Sequence, residues 1–80
     1  MEHKMNIKFF NAKWCGPCKQ MKPHIDELIS EGYNIQLIDV DEQPELAQEY
    51  NVRGVPTLVV NGNSLVGYRD KNQIKEAVGA

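Results

Sequence analysis

The chain holds two cysteines, both in the run Trp14-Cys15-Gly16-Pro17-Cys18, and a pair of thiols at this spacing is equipped for dithiol-disulfide exchange. From Cys18 onward Met21, Ile25, Leu28 and Ile29 recur at intervals of three and four, the period of a helix with one buried stripe. Cys18 therefore opens the buried face. Cys15, three residues earlier, stands at the helix entrance, where backbone N–H groups lack intrahelical partners. The spacing predicts one sulfur presented and the other shielded.

Exchange needs that asymmetry, because the attacking species is a thiolate and the positive end of a helix stabilises negative charge. A free thiol of pKa about 8.5 is only slightly ionised at neutral pH, whereas in Cys-X-X-Cys motifs the value can fall to about 7. Cys15 is the expected nucleophile and Cys18 the resolving thiol. Pro17 suits the first turn, where a missing N–H leaves nothing unsatisfied. Lys13 and Lys19 flank the motif, but solvation and salt leave them a minor part.

Other uses of the pair fit less well. A structural zinc site needs four ligands, and beyond the two thiols there are only His3 and His24 with no second cysteine pair, so no metal is expected. A bridge kept for stability alone has little to recommend it, since closing so short a loop removes little chain entropy. The reaction itself calls for no bound cofactor.

The elements that must hold this site follow from periodicity and punctuation. Met5 to Asn11 reads as a central strand, because Ile7, Phe9 and Phe10 are too apolar for an edge. A helix from Cys15 to about Glu31 follows, ended by Gly32 and expected to kink at Pro23. Ile35 to Val40 is a second strand, parallel to the first because a helix joins them. After a turn comes a short helix with Pro44 early in it and Leu46, Ala47 and Tyr50 on one face. Thr57 to Val60, a turn of Asn61-Gly62-Asn63-Ser64, and Leu65 to Tyr68 read as a hairpin. Asp70 caps a last helix, with Gln73 completing a partial capping box. Met21, Tyr33 and Tyr50 are expected to pack, His24 to lie on the surface, and Asp26, Glu27 and Glu31 to form a solvated helix face. The expectation is an α/β fold of order βαβαββα, a four-stranded mixed sheet flanked by three helices, in one domain over residues 1–80.

At Trp14-Cys15-Gly16-Pro17-Cys18 the chain resembles the thioredoxin family, whose active site carries the same pentapeptide. Arg53-Gly54-Val55-Pro56-Thr57 is similar to that family's second landmark, a loop holding a cis proline opposite the dithiol, and Val66-Gly67 resembles the glycine ahead of its last helix. The likeness keeps its order from Asn6 to Val78 and implies a thioredoxin-like fold without the extra first strand and helix. It also implies that Trp14, Gly16, Pro17, Val55, Pro56 and Gly67 form an apolar collar that docks partner proteins, with the backbone of Val55 pairing to a substrate strand. Aligned from Cys15, Phe9 and Leu37 stand where thioredoxins usually have a buried aspartate and its lysine partner. Cys18 should therefore lack a carboxylate base. Asn11 replaces a common aromatic, and Tyr68 follows Gly67 where a small residue is frequent.

Composition narrows the partners. A formal net charge of −2 with both signs interspersed provides no basic footprint for nucleic acid or for a membrane surface. Met1 to Asn6 has no apolar leader pattern, and no stretch approaches membrane-spanning length, so a cytoplasmic monomer is expected. A cysteine pair in that compartment is usually catalytic or redox-sensing. By resemblance, the protein is a thiol-disulfide oxidoreductase and electron carrier acting on protein disulfides and recycled by a thioredoxin reductase. The alternatives are a glutaredoxin-like reductant recycled by glutathione, suggested by chain length, and a binding module for a larger enzyme.

Overall fold

The computed structural model describes residues 6–79. Its elements are β1 (Ile7–Asn11), α1 (Gly16–Ser30), β2 (Ile35–Asp39), α2 (Pro44–Glu49), β3 (Thr57–Val60), β4 (Asn63–Val66) and α3 (Lys71–Gly79). This is the expected βαβαββα order. Met5, read as the start of the first strand, lies outside the described residues.

The sheet has the order β2-β1-β3-β4, with β1 parallel to β2 and antiparallel to β3. β1 is thus interior, as its apolar run requires, and Ile7, Phe9 and Phe10 are each at most 1% exposed. Alternation along the strand divides the core. Ile7 and Phe9 belong to a cluster with Met21, Ile25 and Leu28 of α1 and Ile74 and Val78 of α3. Phe10 packs in a second cluster with Ile38, Val59, the α2 side chains Leu46 and Ala47, and Tyr50 at the end of that helix. Burying a side chain of this size contributes roughly 1.5–3 kcal/mol, so the stripe Met21, Ile25, Leu28 accounts for much of what fastens α1 to the sheet. Lys8 is the buried polar residue of β1. Its Nζ donates to Asn6 Oδ1 at 2.6 Å and lies 5.1 Å from the centre of the Tyr50 ring.

Three expectations need adjustment. α1 runs through Pro23 to Ser30 much as expected, but Ile29 in its last turn, counted with the buried stripe, is exposed. The hairpin turn is two residues, not four: Val60 pairs with Asn63 and Val59 with Ser64, so Asn63 and Ser64 belong to β4, and Tyr68 lies beyond it. Asn61 and Gly62 have φ of 49° and 89°, and two successive positive values make the tight turn whose twist matches that of the flanking strands. Finally, Glu27 and Glu31 do more than face solvent. Lys71 of α3 pairs with Glu27 Oε1 at 3.2 Å and with Glu31 Oε2, and Lys75 reaches Glu31 Oε1 at 3.4 Å. These charges tie α1 to α3. The capping box at α3 is complete, with Asp70 N–H donating to Gln73 Oε1 at 2.9 Å and Gln73 N–H donating to Asp70 Oδ1 at 2.8 Å.

The hydrogen bond from the Lys71 ammonium holds the Glu31 carboxyl below its ordinary range, and the same bond raises Lys71. A carboxyl lowered in the folded state contributes stability that is present above its unfolded pKa and lost as pH falls through the folded value; the raised lysine contributes below its unfolded pKa and loses this as pH rises through the folded one. Glu31→Gln should therefore flatten the decline of the urea unfolding midpoint below about pH 4.3, an effect that shrinks at high salt. For the hairpin, Gly62→Ala should cost about 1–2 kcal/mol in urea unfolding. A Cβ at Gly62 would meet nothing within 4 Å, so the loss reports the backbone alone.

Candidate active site

The site is built at the end of the central strand. Beyond β1 the chain turns with Cys15 N–H donating to Ala12 O at 3.2 Å and then enters α1. Cys15 is the N-cap residue, in extended backbone at φ −92° and ψ 112°, and Pro17 occupies the first turn. Cys15 and Cys18 form a disulfide with their Cα atoms 5.2 Å apart. The Cys18 N–H donates to Cys15 Sγ at 3.1 Å, so the sulfur takes the capping place that a Ser or Asp oxygen fills elsewhere.

Exposure does not separate the two residues in this bridged state: Cys15 is 4% exposed and Cys18 3%. The expected contrast of one presented and one shielded sulfur is corrected here, because the bonded sulfurs share one apolar pocket with Ala12, Val40 and Val55. The asymmetry that exists is electrostatic. Cys15 Sγ lies at the positive end of α1 and accepts a first-turn amide, so negative charge developing there on reduction is stabilised.

Separate loops bring up the other predicted residues. Val55, half-buried, packs on the bridge, and the Val55–Pro56 peptide bond is cis, as the resemblance implies. Pro56 itself is buried, while Gly16 and Pro17 are exposed. Gly67 N–H donates to Pro56 O at 2.9 Å, joining the residue after β4 to the cis-proline loop, and the φ of 100° at Gly67 is one that L side chains rarely adopt. Thr57 Oγ1 donates to Gly54 O at 2.6 Å and steadies the same loop. Neither backbone polar group of Val55 is hydrogen-bonded among the described residues.

Trp14 is 68% exposed, yet its ring is tethered: Nε1 donates to Asp41 Oδ2 at 2.8 Å. Asp41 is in turn set by its own N–H, which donates to Asp39 Oδ1 at 2.8 Å. Sequence reasoning passed over Asp41, treating this stretch only as a turn; the available signal was one aspartate ending a strand and a second two residues on, a side-chain-to-backbone turn pattern. Among the described residues Lys13 pairs with Glu42, at 3.5 Å and in solvent.

Phe9 and Leu37 are direct register partners on β1 and β2, but their surroundings differ. Phe9 is fully buried and Leu37 is 43% exposed, because β2 is an edge strand. The buried side chains gathered with the sulfurs are apolar. Asn11 uses its side chain to bind the neighbouring strand, Nδ2 donating to Ile38 O at 3.1 Å. His24 Nε2 lies 3.0 Å from the Tyr68 hydroxyl. No cluster of three His, Cys, Asp or Glu suited to a metal occurs among the described residues, and His3 lies outside them. No helix of the described residues is long and apolar enough to cross a membrane.

The pattern of the family described as Thioredoxin matches residues 1–80. Thioredoxin-2 of Pyricularia oryzae is 41% identical over 98% of this chain, which spans 43% of that protein. A thioredoxin of Staphylococcus saprophyticus is 37% identical over 92% of the chain and 79% of its own length. Among solved structures, a mutant thioredoxin from Halobacterium salinarum superposes with a TM-score of 0.86 at 36% identity, covering 95% of this chain and 73% of that one.

In the reduced protein, alkylation by iodoacetamide should go first to Cys15, with an apparent pKa below the free-thiol value of about 8.5. Two thiols that alkylate at equal rates and equal acidity would overturn the assignment.

Proposed function

Because the chain belongs to the thioredoxin family, we propose that it is a thiol-disulfide oxidoreductase that reduces disulfides in protein partners through Cys15 and Cys18. The observation that carries this reading is the Cys15 sulfur capping α1 while bridged to Cys18.

In the reduced protein the Cys15 thiolate attacks one sulfur of a substrate disulfide. That S–S bond breaks, a mixed disulfide forms, and the other substrate sulfur leaves as a thiolate that takes up a proton. Cys18, deprotonated, then attacks Cys15 Sγ, releasing the second substrate thiol and closing the bridge seen here. Two electrons pass to the substrate. Among the described residues no carboxylate is buried, so the Cys18 proton goes to water or to the departing thiolate.

Trp14, Gly16, Pro17, Val55, Pro56 and Gly67 form the docking collar in this reading. Two features support it: the open backbone groups of Val55, suited to pairing with an extended segment, and the tethered indole of Trp14. The oxidised form is returned to the dithiol by a flavin-dependent thioredoxin reductase, making the protein an electron carrier. Gly16-Pro17 between the cysteines favours that reductant over glutathione. The cytosol is the proposed compartment, where reduced thiols persist; a yeast relative carries the name of a mitochondrial thioredoxin.

Cys18→Ser should trap protein partners as mixed disulfides on Cys15 that dithiothreitol releases, and Cys15→Ser should trap none. Steady-state turnover of an insulin disulfide should be sustained by thioredoxin reductase and NADPH. Sustained turnover with glutathione alone would shift the reading to a glutaredoxin-like reductant, and full biological activity of the double Cys→Ser variant would make the chain a binding module.

A further inference from the structure

We infer that Tyr68 is a specificity-determining contact of the exchange surface and that His24 is its positioning residue, so that the protein prefers polypeptide disulfides with a bulky apolar or aromatic side chain beside the attacked cysteine. This rests on the exchange reaction proposed above and adds a substrate preference to it.

Tyr68 directly follows Gly67, whose amide is fastened to the Pro56 carbonyl at 2.9 Å, and the adjoining Val55 packs on the Cys15–Cys18 bridge. The backbone therefore delivers the tyrosine to the border of the reacting surface. Its ring is 45% exposed but not loose: the hydroxyl lies 3.0 Å from His24 Nε2, and the two rings meet edge-on with centroids 6.1 Å apart. His24 stands on α1, the helix that carries the dithiol, and is 44 positions from Tyr68 in the chain. One helix thus carries both the sulfurs and the side chain that holds the ring.

An aromatic ring immobilised in advance loses little freedom when a partner packs on it, which raises affinity without any new contact. The hydroxyl is engaged by His24 while the ring keeps a large exposed area for a partner, and aromatic rings favour aromatic and apolar groups. Gly16 and Gly67 offer no side chain to a partner, whereas Trp14 beside Cys15, and Val66 and Tyr68 on either side of Gly67, are large and exposed. Of these, Tyr68 and Trp14 are held by a second residue, and only Tyr68 is held from the dithiol helix.

The test uses the reduced full chain and two synthetic peptides, each with one intramolecular disulfide and identical except for Phe or Gly beside the attacked cysteine. The unaltered protein should prefer the Phe peptide. Tyr68→Ala should lower that preference about three- to tenfold, through KM rather than kcat. Tyr68→Phe should keep most of it. His24→Ala should lower it in part, and His24→Gln, which can still hydrogen-bond the hydroxyl, should restore it. An unchanged preference in Tyr68→Ala, or an equal fall in kcat with both peptides, would overturn the inference. An unaltered protein that reduces both peptides equally would overturn it while leaving the exchange reaction standing, whereas one that reduces neither peptide nor a small aromatic disulfide would remove both.

Discussion

The hydrogen bond from the Cys18 amide to Cys15 Sγ is where the chemistry and the architecture meet. A helix N-terminus leaves donors without partners, and something must satisfy them. In most helices an oxygen side chain does so at little chemical consequence. Placing a sulfur there couples the electrostatics of α1 to a thiol, because the partial positive charge that a helix carries at its start, roughly half an elementary charge, acts on Cys15 and fades within a turn. Cys18, inside that turn and on the buried stripe, sits in the same apolar pocket but in a different role.

For this coupling to persist, α1 must not rock on the sheet. Met21, Ile25 and Leu28 press it onto β1 and β3, and Lys71 with Glu27 and Glu31 joins it to α3. The interior strand β1 feeds the motif from below, so the Cys15 loop emerges from the most buried part of the molecule. Phe9, in the core between the sheet and α1, contributes packing where a carboxyl would require a partner; with Leu37 partly exposed on an edge strand, the apolar choice avoids a buried charge at this position.

Around the bridge, tethers that span long stretches of chain assemble a surface. Gly67 reaches Pro56, Trp14 reaches Asp41, and Tyr68 reaches His24. Each joins two segments of the chain that are separate in sequence. The result is a set of exposed but constrained side chains, a combination suited to recognition because the cost of ordering them is met in folding instead of docking.

The order of elements, the interior place of β1, the parallel β1–β2 pair, the α3 capping box and the dithiol itself were all legible from residue types and spacing, since each depends on periodicity, punctuation or a neighbour a few positions away. The hairpin was placed but its turn was read two residues too long, because the choice between a short and a long turn rests on whether Asn61 and Gly62 both adopt positive φ, which composition permits without requiring. Asp41 as the tether of Trp14, the meeting of His24 with Tyr68 and the charge link between α1 and α3 were not legible at all. They join positions 27, 44 and 40 apart in the chain, and nothing local marks such partners. Sequence alone thus determined which atoms react and which elements carry them; tertiary structure alone decided what surrounds them, because contacts between distant segments exist only once the sheet has set the elements side by side.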